Sequence, residues 1–246
     1  MLSDPFTRKF DYSIIVPCFN HLDFTRNCIE SILQFSKSYD YELIIVSNGS
    51  DDGTVEYIYG LQKTNPNILL VHCPLPLGAT AAINLGWRVS KGDYLITLNN
   101  DVQILGDSWI DMLKFPFLMD TSVGITGPLK LYSSILKCFF IVFFCAMISR
   151  KFYEDVGELR EEFGWGAGED TLLAKLGIFR GWKIVMVPND EKPAERSGDY
   201  MTGNFPIFHG GEATVNDLPD WDKIIERNGK TLERIQKDEF GGNFER

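Results

Sequence analysis

The chain has 246 residues, with 24 Lys and Arg against 34 Asp and Glu, for a formal net charge of −10. Apolar residues make up 44% and charged residues 24%, which are the proportions of an ordinary globular protein and exclude wholesale disorder. The acidic balance argues against a nucleic-acid binder, which needs a basic stripe to displace counterions, and against a polybasic membrane-surface module.

The first hundred residues alternate strand-like and helix-like segments. Residues 12–17 (YSIIVP) form a short β-branched run closed by proline. Residues 22–35 carry Phe24, Cys28, Ile32 and Phe35 at helical spacing. A second strand at 41–46 (YELIIV) runs into a polar, Gly-containing turn, SNGSDDG, and a helix marked by Val55, Ile58, Tyr59 and Leu61. A third strand at 68–72, a small-residue helix at 79–89 and a fourth strand at 94–98 follow. Strands alternating with helices predict βαβ units and a mainly parallel central sheet flanked by helices. In such sheets ligands bind beyond the carboxyl ends of the strands. The segments that matter most are therefore 17–20, 47–52 and 99–101.

The second half is less regular. A helix is predicted at 109–118 and a strand at 123–128. The very apolar run 138–148 (CFFIVFFCAMI), bracketed by Lys137 and Arg150, is too short for a membrane-spanning helix, which takes roughly 20 residues. It is predicted as one buried strand. A short helix near 152–156 precedes a Gly-rich loop, 164–168, that opens on Glu169, Asp170 and the apolar run Leu172, Leu173, Leu176. A strand at 183–188, a polar loop at 189–205 and a last helix at 221–240 complete the chain.

No linker composition separates these parts. The expectation is one domain over 1–246, with a nucleotide half at 11–101, an acceptor half at 102–210 and a helical tail at 211–246. Cys18, Cys28, Cys73, Cys138 and Cys145 include no CxxC pair. They predict neither a disulfide framework nor a zinc site, but small core residues and a reducing, cytoplasmic setting. The polar N-terminal residues predict no secretory signal.

The strand ends together read VPCFN, VSNGSDDGT, LNNDV, GWGAGED and HGG. This ordered set resembles glycosyltransferase family 2, the inverting nucleotide-sugar-dependent transferases of the GT-A fold, with a Rossmann-like nucleotide half. The resemblance runs from about Ser13 to His209, and more loosely to Gly242. The HGG ending and the late DEFGG stretch look most like rhamnosyl- or related surface-polysaccharide transferases.

The resemblance implies roles position by position. Pro17, Asn20, Asn48 and Asp52 fall where the family contacts base and ribose. Ser47 stands where the family's pattern begins with Asp, so the base is left open, with UDP or dTDP favoured. Gly78, Asn84 and Gly86 lie on the small-residue helix, where small size would let the helix approach the nucleotide or simply the sheet. Asn99, Asn100 and Asp101 match the metal motif. Asp101 is the expected ligand of Mn²⁺ or Mg²⁺, hard ions suited to carboxylate and diphosphate oxygens, and Asn99 and Asn100 are donor contacts. His209 resembles a late histidine that joins the metal shell in some members. Asp170 is the expected catalytic base beside Glu169. Trp165 and Gly166 are acceptor-side candidates, and Lys192 and Arg196 lie in the polar loop before His209.

The implied activity is metal-dependent transfer of a sugar from a nucleoside-diphosphate sugar to an acceptor hydroxyl of a glycan or a lipid-linked glycan, with inversion. Peripheral membrane association is a further expectation, and no nucleic-acid partner is expected. The rival readings are a degenerate GT-A binding module, favoured by Ser47 and Asn99, and a nucleotidyltransferase. The second would need a Gly-rich basic loop after the first strand, and VPCFNHLDF lacks one.

Overall fold

The computed structural model describes residues 9–187, 200–201, 204–211 and 220–241. Its order is β1 (Phe10–Cys18), α1 (Leu22–Phe35), β2 (Tyr41–Asn48), α2 (Thr54–Gln62), β3 (Ile68–Cys73), α3 (Ala79–Val89) and β4 (Gly92–Leu98). Then come β5 (Val102–Ile104), α4 (Trp109–Met119), β6 (Val123–Gly127), β7 (Lys130–Ser133), β8 (Cys138–Ile141) and β9 (Cys145–Ser149). The chain continues through α5 (Arg150–Val156), a single 3₁₀ turn (Glu161–Phe163), α6 (Glu169–Phe179), β10 (Lys183–Met186), β11 (Tyr200–Met201), β12 (Ile207–His209) and α7 (Trp221–Phe240).

Seven strands form the main sheet in the order β10-β6-β9-β4-β1-β2-β3. All its pairs are parallel except those of β9, which runs antiparallel between β4 and β6. Period-two alternation divides the core. Ile14, Val16, Leu43 and Ile45 face α1, α2 and α4, whereas Ile15, Ile44 and Val46 face α3, α5 and α6. All five cysteines are free and buried, in keeping with the sequence expectation.

Two strand predictions need correction. The apolar run 138–148 is not one strand. It splits into β8, which pairs with β7 in a separate hairpin, and β9, which enters the main sheet. The turn between them, Val142, Phe143 and Phe144, is as apolar as its flanks because it too is packed inside. The strand predicted at 183–188 ends at Met186. Pro188, like Lys192, Arg196 and most of the predicted 189–205 loop, lies outside the described residues. Among the described residues no helix is long and apolar enough to cross a membrane.

The α3 helix lies tightly on the sheet. A Cβ built on Gly86 would come 2.3 Å from Ile15 Cγ2, and Ile15 is a β-branched side chain with little χ1 freedom. Here Gly serves helix–sheet packing. Overpacking such a contact costs about 1–3 kcal/mol. Each kcal/mol lowers Tm by about 2–4 °C in a chain of this size. Gly86→Val should therefore lower Tm by about 2–12 °C in a thermal melt. An unchanged Tm would show that the helix can move away at no cost.

Candidate active site

From the carboxyl end of β4 the chain leads into the small sheet β11-β12-β5. After β4 the chain turns through Asn99–Asp101, closed by a bond from Val102 N to Asn99 O at 3.2 Å, and continues as β5. Strand β12 pairs antiparallel to β5, with His209 opposite Val102. Gly210 N donates to Asp101 O at 3.0 Å. This register sets His209 Nε2 3.2 Å from Asp101 Oδ1, with both side chains buried. The His209 ring is stacked on Phe144, centroids 4.3 Å apart and planes at 8°, so its orientation is held from behind.

The same turn carries the link to Asp170. Phe144 O accepts from Asn99 N at 2.9 Å, and the N–H of Phe143 reaches the Asp170 carboxylate. Asp101, His209, the 142–144 turn and Asp170 thus share one wall. Asp170 sits in the first turn of α6, where its Oδ1 accepts from Thr171 N at 2.6 Å and Thr171 Oγ1 at 3.2 Å. Burial raises its pKa above the ordinary carboxylate range, and the Thr171 and Phe143 bonds pull it partly back. Glu169 is pushed up further, first by burial and then by the neighbouring Asp170 charge. Its Oε2 is buried with no hydrogen-bond partner among the described residues. The pair therefore divides the labour. Asp170, which receives the donors, is the better-stabilised anion, and Glu169 is the group that holds a proton. Divergent environments of this kind mark acid and base assignments.

The Gly-rich loop before α6 has positive φ at Gly164, Gly166, Ala167 and Gly168, a run that only Gly-rich sequence adopts without much strain. The loop is tied on two sides. Thr80 N at the start of α3 donates to Gly164 O at 3.0 Å. From α7, the fully buried Asn228 donates from Nδ2 to Phe163 O at 2.9 Å and to Gly166 O at 2.6 Å. Sequence reasoning missed Asn228. Its one signal was a polar residue on the otherwise apolar face of α7. Trp165 packs against Phe19 of the β1–α1 loop at 5.2 Å, so it joins that loop to the Gly-rich loop.

Several expected donor contacts are spent inside the protein. Asn84 is fully buried; its amide donates to Leu159 O at 2.9 Å and accepts from Leu159 N at 3.0 Å. It latches the 157–161 segment and is not placed to touch a nucleotide, which corrects the expectation for that residue. Gly78 permits close packing, since a Cβ there would meet Gly164 O at 2.7 Å. Asn100 is buried and donates to Thr25 Oγ1 at 3.1 Å. Asp52 Oδ2 accepts from Leu22 N at 2.7 Å and Oδ1 from Thr54 Oγ1 at 2.6 Å, so it caps two helix starts. Burial pushes its pKa up, but these bonds outweigh that and hold it below the usual value. Asn20 Oδ1 accepts from Asp51 N at 2.9 Å, and Asn48 Oδ1 from Leu77 N at 2.7 Å. Those two residues, with Pro17 near the end of β1, shape the loops after β1 and β2. Asn99 lies in the turn after β4.

The donor set at Asp101 and His209 fits a divalent metal ion. One carboxylate oxygen and one imidazole nitrogen are both accepted by Mn²⁺. Their 3.2 Å separation is close to the roughly 3 Å between adjacent ligands of an octahedral ion with bonds near 2.1 Å. Among the described residues no group of three or more His, Cys, Asp or Glu could hold a metal, so a bound ion would complete its shell with ligand oxygens and water.

The comparisons agree with this fold. Residues 13–125 match the model of glycosyl transferase family 2. A dolichyl-phosphate beta-glucosyltransferase, ALG5A, of Trichomonas vaginalis is 34% identical over 109 residues, which cover 39% of this chain and 34% of that protein. A putative teichuronic acid biosynthesis glycosyltransferase, TuaG, of Bacillus subtilis is 28% identical over 115 residues, covering 47% and 45%. The matched segment thus spans less than half the length of either relative. Among solved structures, the mannosyltransferase PcManGT from Pyrobaculum calidifontis, in complex with GDP-Man and Mn²⁺, superimposes with a TM-score of 0.62 at 18% identity, covering 93% of this chain and 71% of that one. The fold is the GT-A fold, and residues 13–125 are similar to glycosyl transferase family 2.

The carboxylate pair makes stability depend on pH. A carboxyl whose pKa is raised in the folded state binds more protons folded than unfolded, so stability falls as pH rises from its unfolded value through its folded one. For Glu169 that decline begins near 4.5, the ordinary value. Glu169→Gln should therefore raise Tm at pH 8 relative to wild type, and the gain should vanish at pH 4. Thermal melts at the two pH values check this; the same difference at both would mean Glu169 is not a buried acid.

Proposed function

We propose that this protein transfers a sugar from a nucleoside-diphosphate sugar to an acceptor hydroxyl, by a single displacement with inversion. The observation that carries the reading is the wall at the carboxyl edge of the sheet. Asp101 and His209 face each other at 3.2 Å, and Asp170 is bonded to the turn that stacks on His209.

Asp170 accepts the acceptor's hydroxyl proton as that oxygen forms its bond to the anomeric carbon. The bond from that carbon to the diphosphate oxygen breaks with its electron pair, and the nucleoside diphosphate departs. A raised but still acidic pKa suits this task, because a base must be ionised at working pH and still attract a proton in the transition state. Asp101 and His209 would hold Mn²⁺ or Mg²⁺, which supplies Lewis-acid stabilisation of the leaving charge. That local cation resolves how a chain of net charge −10 binds a diphosphate. The Asn20, Asn48 and Pro17 loops rim the nucleotide side, and Trp165 and Gly166 the acceptor side. The names of the relatives, one acting on a dolichyl phosphate and one in teichuronic acid synthesis, support a glycan or lipid-linked acceptor. UDP and dTDP remain the favoured bases on the Asn48 loop, against the GDP of the solved neighbour.

The test is thermal unfolding against UDP, GDP, dTDP and CDP, each with and without Mn²⁺, on wild type and Asp170→Asn. A ligand at 100 times its Kd adds about 2.7 kcal/mol, or about 5–11 °C in Tm. One nucleotide should give a Mn²⁺-dependent shift in both proteins, and sugar transfer from that nucleotide's donors should be lost only in Asp170→Asn. Equal turnover in the variant would remove Asp170 from the mechanism. A nucleotide shift without turnover in wild type would make the chain a binding module.

A further inference from the structure

We propose that the β7–β8 hairpin is the surface by which this protein rests on an anionic lipid bilayer. The first observation is how charge is segregated. Residues 121–153 contain no Asp or Glu, although the chain as a whole carries 34. The cations of that segment are Lys130, Lys137, Arg150 and Lys151. Arg150 is spent on the backbone, donating to Gly92 O and Ser90 O. Lys130 and Lys137 belong to the hairpin.

The second observation is what the hairpin displays. Tyr132 lies directly opposite Phe139, and Leu131 opposite Phe140. Tyr132 is 56% exposed, Phe139 52% and Leu131 45%. The two rings pack edge to face with centroids 5.1 Å apart, and Lys130 Nζ lies 5.1 Å from the Phe139 centroid. Lys137 is exposed at the tip with φ 49. The platform beneath is rigid. Leu136 and Cys138 are buried with Phe163, Leu172, Ile235 and Phe240, and Ile141 is buried in the core. Lys175 and the exposed Phe179 of α6 flank the same Phe240 ring. On α7, Glu239 is neutralised by Arg160 at 2.9 Å.

Solvent-facing rings fixed on a firm base form an interaction surface. Rings with polar edges or flanking lysines sit well at headgroup depth, where lysine stems lie along apolar surface and their ammonium groups reach lipid phosphates. Lysine is depleted in the cores of protein–protein interfaces, and the missing acidic groups match an anionic leaflet. The acidic net charge that argues against a polybasic module is therefore a whole-chain average that hides a local basic, aromatic face. The surface stands without the transfer reading, but it would serve it. β8 ends at Ile141, two residues before Phe143, which bonds Asp170, and three before Phe144, which stacks on His209. A hairpin laid on a bilayer holds that wall close to the plane in which a lipid-linked acceptor diffuses.

The experiment is flotation of the whole chain with phosphatidylcholine vesicles, with and without phosphatidylglycerol. Wild type should float with the phosphatidylglycerol vesicles, and added salt should release it, as charge screening requires. Lys130→Glu with Lys137→Glu should lower the bound fraction about ten-fold or more. Tyr132→Ser with Phe139→Ser should lower it independently. Both double variants should keep the wild-type melting temperature, which separates lost docking from lost fold; if the serine pair unfolds, the lysine pair decides alone. Wild type left in the unbound fraction, equal binding to both vesicles, or undiminished binding by the lysine variant would each overturn the proposal. So would a dimer in light scattering that these substitutions dissolve, which would assign the face to a second copy of the chain.

Discussion

His209 reaches Asp101 only because β12 hydrogen-bonds to β5, and this long-range pairing is what makes the carboxyl edge of the sheet a site. By itself the turn after β4 offers one carboxylate, Asp101. The second donor comes from a strand far along the chain, and closing so long a loop costs conformational entropy. The cost is offset locally. Phe205 and Ile207 enter the main core beside Val102 and Ile104, Leu105 N donates to Pro206 O at 2.8 Å, and Phe144 covers the His209 ring. The imidazole is fixed by packing on one side and by strand register on the other. That is the preorganisation the proposed two-donor metal seat needs.

The proposed base is held by a different mechanism. Asp170 starts a helix, and the loop before it has a backbone that would relax without support. Support comes from α3 through Thr80 and from α7 through Asn228. Asn228 satisfies two loop carbonyls at once with one amide, which replaces the water they would otherwise bond. The tail helix therefore packs on the loop that precedes Asp170, although it lies beyond the motifs. Arg160 with Glu239 and Arg234 with Glu162 join the same surfaces, but at exposed positions such pairs contribute little. The buried amide contributes more.

The nucleotide half was readable because each of its elements has a clean period. Helices α1, α3 and α7 have the predicted limits, and β1 to β4 fall where β-branched runs predict them. The 138–148 run misled because a buried turn and two buried strands share one composition; no Gly or Pro marks the turn, whose job is to cover His209 and bond Asp170. Polar residues are harder to read for a different reason. Asn84, Asn100 and Asp52 match motif positions, yet each is used to satisfy backbone or a neighbouring helix. Type and spacing do not distinguish an amide that holds a loop from one that holds a ligand. That distinction needs the partner atoms, and only the fold supplies them.

The account depends most on Asp101 and His209 acting together on one ion. The most direct measurement is the electron paramagnetic resonance of free Mn²⁺, titrated with protein in the presence of the nucleoside diphosphate that binds. Wild type should remove the free-ion signal, Asp101→Ala should leave it intact, and His209→Ala should weaken removal about ten-fold or more, the scale expected for a lost ligand or its orienting partner. Undiminished Mn²⁺ uptake by both variants would contradict the account, because the ion would then be held by the nucleotide or by other residues.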